Sequence, residues 1–382
     1  MQLTPPEPSA FRYVANASGL DELAALVEGA ERVALDTEAD SLHHYHEKVC
    51  LMQISCAGTQ YIVDPLAGVE MTPLLRALAD RTLIFHAADY DLRMLRSSFG
   101  FHPAGRILDT MIAARLLGYR EVGLAALLQR FFGVSLGKGG QRSDWSRRPL
   151  TPSQLDYAAN DTRFLEPLAD HLFAELPRMG RMPWYEESCA RMVEATARVT
   201  RVDLDMVWRI KGTGRLKRRQ AAMVRELWFW RDGEASRTDR PAFHVMGADQ
   251  MLELALWADA HPHLSPAGGF RLPRNCRDQR LHALVEAVER ARRMPQAEWP
   301  EPLPRRAAQP PPPRVEELRA AAAEAAGRLA IEPSVLAPRA ALEAVARARP
   351  RNAEEIVACS PLMHWQAELL EPVVRSVLHG EP

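Results

Sequence analysis

Paired cysteines and long apolar runs are both missing from this chain. Five cysteines occur among 382 residues, and none forms a CxxC pair, so we expect neither a zinc knuckle nor a disulfide framework. The longest apolar run falls short of the roughly 18–20 residues that a membrane span needs. The N-terminus has neither the basic start nor the apolar stretch of a signal peptide. These absences predict a cytoplasmic protein, with no membrane contact, whose cysteines are reduced packing residues: Cys50, Cys56, Cys189, Cys276 and Cys359.

Charge is unevenly distributed behind a total of −1. Residues 1–190 carry 18 Lys and Arg against 24 Asp and Glu, whereas residues 191–300 carry 20 against 14. The tail, 301–382, is nearly balanced, with 10 against 11. An acidic segment beside a basic one fits a cation-binding unit joined to a unit that binds a polyanion.

The first half of the chain alternates strand-like and helix-like stretches. Gly58-Thr59 between two apolar runs predicts a hairpin, and Gly at 100, 118 and 133 predicts helix ends. The pattern predicts an α/β domain with a mixed sheet over residues 1–190. Strands are expected at Arg32–Leu35, Val49–Ser55, Gln60–Val63 and Thr82–His86, and helices at Leu74–Leu78, Tyr90–Phe99, Thr110–Leu117 and Leu124–Phe132.

After about residue 190 the strand signals stop. Residues 200–290 predict a compact set of helices, and residues 314–382 predict a second helical domain. Between them, residues 291–313 include the run Pro310–Pro313, which predicts an extended, semi-rigid linker because proline-rich chain adopts polyproline II.

Two carboxylates end the first strong strand. Asp36 and Glu38 are two residues apart, so on a strand they share a face. Their like charges repel unless a cation or a shared proton offsets them. A solvated acidic loop explains this fragment equally well.

Two further acidic fragments follow. Asp89 and Asp91 lie where a strand runs into a helix, and the simple interpretation is helix capping, with Asp89 the better cap and Asp91 further into the first turn. Tyr157 and Asp161 are four residues apart within a predicted helix, so they share a face. Each fragment alone is explicable without catalysis.

Taken together and in order, these fragments resemble the DEDD exonuclease superfamily, in the version whose last motif is Tyr-x-x-x-Asp. The stretch GGQRSDWSRRPLTPSQLDYAANDTRFL at 139–165 is similar to the approach to that motif in the ribonuclease D family, and the resemblance covers nearly the whole chain. It implies a ribonuclease H-like α/β exonuclease domain followed by two all-α HRDC-type helical domains. Asp109, just before a predicted helix, is expected to cap that helix rather than to bind metal.

The resemblance also implies the chemistry of the site. Two divalent cations, Mg²⁺ or Mn²⁺, would be held by Asp36, Glu38, Asp91 and Asp161. Asp36 would bridge both ions, Glu38 and Asp161 would complete the site of the ion that holds the attacking water, and Asp91 would support the other. Tyr157 would orient the water, since an ordinary phenol stays protonated at neutral pH.

Two other segments contain candidate binding residues. The run at 43–46, His-His-Tyr-His, could be a metal cluster, but hard cations prefer oxygen ligands; substrate contact or a solvated loop is the better interpretation. The loop before the last motif is glycine-rich and basic, and Lys138 and Arg142 could contact substrate phosphates.

The start of the first helical domain is strongly basic. Six cations without an intervening acid could bind phosphates independently of sequence: Arg209, Lys211, Arg215, Lys217, Arg218 and Arg219. We single out Lys211, Arg215, Lys217 and Arg218 as nucleic-acid contacts. Trp208, Trp228 and Trp230 could stack on bases, but at helical spacing we expect core packing. The segment resembles an HRDC domain, and the tail resembles a second, more divergent copy.

The sequence therefore predicts a 3′→5′ exoribonuclease that releases nucleoside 5′-monophosphates from RNA with a free 3′ end. Precursors of tRNA or other structured RNAs are the expected substrates, and no obligate protein partner is evident. A 3′→5′ DNA exonuclease is the nearest alternative, because the same carboxylates serve both kinds of enzyme. A non-catalytic nucleic-acid-binding protein is a weaker one, because all five expected side chains are present.

Overall fold

The computed structural model of the protein describes residues 3–6, 10–135, 137, 140, 142–198, 203–302 and 310–380. These residues form two units. The first comprises the described parts of Met1–Ala39, Lys48–Arg198 and Gln309–Pro382, and the second those of Asp40–Glu47 and Val199–Ala308. The units differ from the consecutive domains that the sequence predicts, because residues 40–47 join the second unit and the tail joins the first.

A six-stranded sheet forms the centre of the first unit. Its strands are β1 (Arg12–Val14), β2 (Arg32–Ala39), β3 (Val49–Cys56), β4 (Thr59–Val63), β5 (Thr82–Phe85) and β6 (Ile107–Asp109), in the order β1-β4-β3-β2-β5-β6. The pairs β2–β3 and β3–β4 are antiparallel, and β1–β4, β2–β5 and β5–β6 are parallel. This confirms the predicted mixed sheet. The three-residue strands β1 and β6 were not predicted.

The predicted hairpin is formed by β3 and β4. All eight residues of β3 are buried, which explains its nearly continuous apolar sequence. The turn residues Ala57 and Gly58 have φ values of 50° and 77°. Consecutive positive φ values match the twist of the two strands that such a turn connects.

Helices surround the sheet of the first unit, and some of them connect its strands. They are α1 (Ala17–Glu28), α2 (Thr72–Ala79), α3 (Asp89–Phe99), α4 (Thr110–Leu116), α5 (Leu124–Phe132), α6 (Pro152–Arg163), α7 (Leu165–Arg178) and α8 (Met182–Ala197), with a 3₁₀ turn at Pro65–Ala67. Gly100 and Gly133 adopt the left-handed conformation at the ends of α3 and α5. The predicted glycine stops at these two helices are therefore confirmed.

The tail shares a hydrophobic core with the helices and sheet of the first unit. Trp365 stacks on Trp184, with ring centroids 4.9 Å apart and an interplanar angle of 13°. The Glu187 carboxylate accepts hydrogen bonds from the backbone N–H groups of His364 (2.7 Å) and Trp365 (3.1 Å). The tail is built from α14 (Val315–Arg328), α15 (Pro333–Leu336), α16 (Arg339–Ala348), α17 (Ala353–Cys359) and α18 (His364–Val374), followed by a π-helical turn at Arg375–His379.

The second unit is helical and has its own core. Its helices are α9 (Arg218–Thr238), α10 (Ala242–Val245), α11 (Ala248–Ala260), α12 (Pro266–Gly269) and α13 (Asp278–Arg293), with 3₁₀ turns at Thr213–Arg215 and Gln296–Glu298. Trp208 and Trp230 are buried in this core and Trp228 is half-buried against it, which confirms their predicted packing role. Helix α13 continues past residue 290, so the boundary predicted there is wrong. Among the described residues, no helix combines the length and the apolar character that crossing a bilayer requires.

Candidate active site

Strand β2 presents the first two predicted carboxylates. Asp36 and Glu38 lie near its end, opposite Gln53 and Leu51 of β3. The pairing shifts register between Glu38 and Ala39, and such an irregularity bends a strand and re-aims a side chain. The alternation of the strand places both carboxylates on one face.

Helix α6 presents Tyr157 and Asp161. Its start is well defined: Thr151 and Gln154 form a reciprocal capping box, and Pro152 occupies the first turn, where a missing N–H costs nothing. The Tyr157 side chain lies close enough to Asp161 for each to affect the pKa of the other. Helix α6 packs on β2, β3 and β4, which brings one carboxylate oxygen each of Asp36, Glu38 and Asp161 within 4.8 Å of one another.

Helix α3 contributes Asp91, which is 5% exposed. Its Oδ1 accepts hydrogen bonds from the backbone N–H of Thr37 (2.9 Å) and from the Thr37 hydroxyl (2.7 Å). Thr37 was missed by sequence reasoning, although its place between Asp36 and Glu38 was the available signal. Asp89 is exposed and makes no capping bond; it pairs with Arg93 at 2.7 Å. The predicted cap at Asp89 is therefore wrong.

Burial dominates the electrostatics of this cluster, and repulsion from neighbouring carboxylates adds to it at Asp36 and Glu38. Burial, followed by the charges of Asp91, Asp161 and Glu38, raises the pKa of Asp36 well above its ordinary value. Burial is also the largest cause that raises the pKa of Glu38 to about 9 and those of Asp91 and Asp161 to about 7. The charges that most strongly affect Asp36 and Glu38 are all carboxylates. Oxygen ligands crowded in this way suit a hard divalent cation.

Tyr157 remains a phenol in this setting. Burial, and then the charges of Asp161, Glu38 and Asp36, raise its pKa far above the ordinary value. The hydroxyl can therefore donate and accept hydrogen bonds, and it cannot act as a base at neutral pH.

Asp109 has the capping role that the sequence predicts. Its carboxylate accepts hydrogen bonds from the backbone N–H groups of Met111 (2.8 Å) and Ile112 (3.0 Å) at the start of α4. It also accepts one from Ala88 N–H at 2.8 Å. Asp109 thereby fixes the chain just ahead of α3, the helix that carries Asp91.

The loop that leads into α6 is anchored by an ion pair that the sequence did not reveal. The Arg148 guanidinium donates to both carboxylate oxygens of Asp64, each at 2.6 Å, and to the carbonyl of Cys50 at 2.8 Å. Of the predicted phosphate contacts in this loop, Arg142 is exposed, and Lys138 lies outside the described residues.

The histidine-rich run after β2 belongs to the second unit. The His44 Nδ1 lies 2.6 Å from Asp239 Oδ2, and the Tyr45 hydroxyl donates to Asp232 at 2.9 Å. Asp239, at the end of α9, also accepts the backbone N–H groups of Tyr45 and His46, both at 3.1 Å. The interpretation as a solvated loop is wrong, because a contact 195 residues away in sequence organises this run.

Half of the basic cluster at 209–219 is engaged within the second unit. Arg209 lies over the ring of Trp208, 4.5 Å from its centroid, and Arg219 pairs with Asp259 at 3.4 Å. Arg218 donates to Glu301 Oε1 at 2.6 Å and to the Trp299 carbonyl at 2.9 Å. Arg218 therefore has partners within the second unit, and its role as a nucleic-acid contact stays a prediction. The exposed members are Lys211, Arg215 and Lys217.

Comparisons with known proteins agree with this geometry. A family model described as a 3′–5′ exonuclease matches residues 11–177. Ribonuclease D of Acidiphilium cryptum is 31% identical over 347 residues, which cover 88% of this chain and 85% of that protein.

The chain belongs to the ribonuclease D family.

Ribonuclease D of Pseudomonas paraeruginosa is 30% identical over 361 residues, covering 91% of this chain and 92% of the relative. The crystal structure of Escherichia coli RNase D, described as an exoribonuclease involved in structured RNA processing, shares the fold with a TM-score of 0.73 at 24% identity and covers 98% of this chain and 100% of that one. Membership of the ribonuclease D family makes this protein a hydrolytic 3′–5′ exoribonuclease.

Proposed function

We propose that this exoribonuclease uses two divalent cations, Mg²⁺ or Mn²⁺, held by Asp36, Glu38, Asp91 and Asp161. It removes nucleoside 5′-monophosphates one at a time from the free 3′ end of structured RNA, with tRNA precursors as the expected class. The observation that supports this most strongly is the convergence of carboxylates from β2, α3 and α6: one oxygen each of Asp36, Glu38 and Asp161 lies within 4.8 Å of the others, and Asp91 is buried against Thr37.

The side chains divide the work of the reaction. When bound, divalent cations supply the charge stabilisation that an in-line displacement at phosphorus needs. Asp36, Glu38 and Asp161 provide the closest group of oxygen ligands, and Asp91 is held beside them by Thr37. The Tyr157 hydroxyl, protonated and close to Asp161, orients the attacking water and does not deprotonate it.

The helical regions would hold the substrate. We propose that the second unit and the tail are HRDC-type modules, and that Lys211, Arg215 and Lys217 contact RNA phosphates. These three cations are exposed, and none forms an ion pair with another described residue. Such contacts confer an affinity that is salt-dependent and independent of sequence. The structured substrate is inferred from the E. coli relative, which acts in structured RNA processing.

The test is digestion of matched RNA and DNA oligonucleotides, each labelled at its 5′ end, with Mg²⁺, Mn²⁺ or EDTA. We expect the labelled RNA to shorten progressively from its 3′ end with either metal, and to survive in EDTA. Faster digestion of DNA would indicate a DNA exonuclease, and digestion in EDTA would contradict the metal site. RNA binding without digestion in any metal would show a non-catalytic protein.

A further inference from the structure

The ring of Tyr157 is contacted by two residues of the loop that precedes α6. The Trp145 ring lies beside it, with centroids 6.1 Å apart and an interplanar angle of 39°. The backbone of Gly140 lies directly against it: a Cβ atom at this position would be 2.3 Å from Tyr157 Cγ and Cδ1 and 2.7 Å from Cδ2. Carbon atoms in contact lie about 3.5–4.0 Å apart, so no side chain fits at 140 while the ring keeps this position.

The loop cannot simply move away from the ring, because its following residues are anchored. The carbonyl of Gly140 accepts a hydrogen bond from Ser143 N–H at 2.9 Å. Trp145 is 1% exposed and its carbonyl accepts from Arg148 at 2.8 Å. Arg148 is itself fixed by the two hydrogen bonds to Asp64. Although burial disfavours the charge of Asp64, the hydrogen bonds from Arg148 and Tyr13 hold its pKa below the usual value.

Helix α6 also restricts the position of the Tyr157 ring. The capping box at Thr151 fixes the start of α6, and Ala158, next to Tyr157, is fully buried. A clash at 140 would therefore be relieved by rotation of the Tyr157 side chain, which changes where its hydroxyl lies relative to Asp161.

We propose that Gly140 is a positioning residue for Tyr157: its lack of a side chain lets the ring hold the hydroxyl against Asp161. This inference rests on the proposed role of Tyr157 in orienting water. Gly137, in the same loop, provides the contrast, because a Cβ atom there would meet nothing within 4 Å. The two glycines have similar flanking sequences, but only Gly140 contacts the Tyr157 ring.

The test compares Gly140→Ala with the matched control Gly137→Ala. On 5′-labelled RNA with Mg²⁺, we expect Gly140→Ala to lower kcat by about tenfold to a hundredfold, because small misplacements of a catalytic group cost rates of this order. KM and the thermal unfolding midpoint should stay near the wild-type values, and Gly137→Ala should match wild type in all three. Equal losses of kcat in both variants would overturn the proposal.

A double-mutant cycle shows whether Gly140→Ala lowers kcat by displacing the Tyr157 hydroxyl. In a Tyr157→Phe background, Gly140→Ala should cause little further loss of kcat, because the group that it misplaces is already absent. Multiplied losses in the double variant would show that Gly140 acts on something else. If Gly140→Ala folds poorly, Asp64→Asn is the substitute, because it loosens the same loop through Arg148. The smaller loss of kcat expected for Asp64→Asn should likewise disappear in the Tyr157→Phe background.

The single variant Tyr157→Phe separates the two possible failures. If Tyr157→Phe lowers kcat and Gly140→Ala does not, the positioning inference is wrong and the proposed site stands. If Tyr157→Phe turns over RNA at the wild-type rate, the proposed role of Tyr157 is wrong, and the role of Gly140 is overturned with it.

Discussion

The two units of the molecule differ in the charges that surround their carboxylates. In the first unit, Asp36 is surrounded by Asp91, Asp161 and Glu38, and its pKa is raised. In the second, Glu234 is 8% exposed and is bound by Arg237 at 2.9 Å and Arg280 at 3.1 Å, whose hydrogen bonds lower its pKa. The second unit neutralises its buried acid with arginines of its own, whereas we propose that the acids of the first unit bind divalent cations.

The units also differ in how their helices are used. The tail contributes to the same core as the sheet of the first unit, so it is part of the structural support of the catalytic domain. The second unit has a separate core and carries Lys211, Arg215 and Lys217 on its surface. The tail helices therefore support the catalytic domain, and we propose that the helices of the second unit contact the substrate.

The largest expected effect is that of Trp365→Ala. Trp365 is 4% exposed, and truncation of a buried tryptophan costs about 3–5 kcal/mol of unfolding free energy. Peptide-resolved hydrogen exchange should show faster exchange in α8 and in the tail. The matched control is Trp208→Ala, which removes a buried tryptophan from the other core and should accelerate exchange in the second unit alone. Equal acceleration in both units by either variant would contradict the separation of the cores.

Glu234→Gln tests how much the ion pairs of Glu234 contribute to the free energy of unfolding. The substitution leaves Arg237 and Arg280 without their carboxylate, so we expect a loss of about 1–3 kcal/mol in unfolding free energy near neutral pH. Because folding lowers the pKa of Glu234, its contribution is present above the ordinary pKa and is lost as the pH falls through the folded value. Denaturant unfolding of the two proteins at neutral and acidic pH measures this, and equal stability at neutral pH would contradict it.

In metal-free protein, Asp36→Asn should change the free energy of unfolding in the opposite direction and stabilise the fold. Folding raises the pKa of Glu38 to about 9 and those of Asp91 and Asp161 to about 7, so the folded state binds more protons and its stability falls as the pH rises between the unfolded and folded values. Removing one charge should raise the unfolding temperature in EDTA at about pH 8. A gain near 1 kcal/mol in unfolding free energy corresponds to a rise of a few degrees. The gain should vanish near pH 4, where the carboxylates are protonated, and on addition of Mg²⁺. A lower unfolding temperature in EDTA at the higher pH would contradict the account.

A modest effect is expected on RNA binding by the second unit. Replacing Lys211, Arg215 and Lys217 by Glu should weaken binding by roughly tenfold, about 1.4 kcal/mol, and should flatten the salt dependence by about two in slope. Binding titrations at several salt concentrations measure both. The control reverses three exposed arginines of the tail, Arg319, Arg328 and Arg339, which pair with glutamates in their own helices. A similar loss in both triple variants would show that the effect is one of net charge alone.

The local features of the site could be predicted from the sequence. Two carboxylates at the end of a strand, and a tyrosine and an aspartate four residues apart on a helix, follow from the periodicities of those elements. Of the two acids at the start of α3, Asp91 is buried and Asp89 is exposed, and the choice of Asp91 as a metal ligand stays a prediction. What these features share is that each depends on a few consecutive residues.

The features that were missed depend on distant contacts. The His44–Asp239 contact, the Arg148–Asp64 ion pair and the Gly140–Tyr157 packing join segments that no local pattern relates. The same reason explains Arg218, whose charge suggested RNA binding but whose partner is Glu301. Strands β1 and β6 are three residues long, too short for a periodic pattern, and their pairing partners stabilise them.

The most direct test of the carboxylate site compares Asp36→Ala with Asp89→Ala in digestion of 5′-labelled RNA with Mg²⁺. Both remove one acid from the same unit, but Asp36 lies in the carboxylate cluster and Asp89 is an exposed partner of Arg93. We expect Asp36→Ala to bind RNA and fold normally but to leave it undigested, and Asp89→Ala to digest it at a rate close to that of the wild type. Mg²⁺-dependent digestion by well-folded Asp36→Ala protein would contradict the assignment of this site.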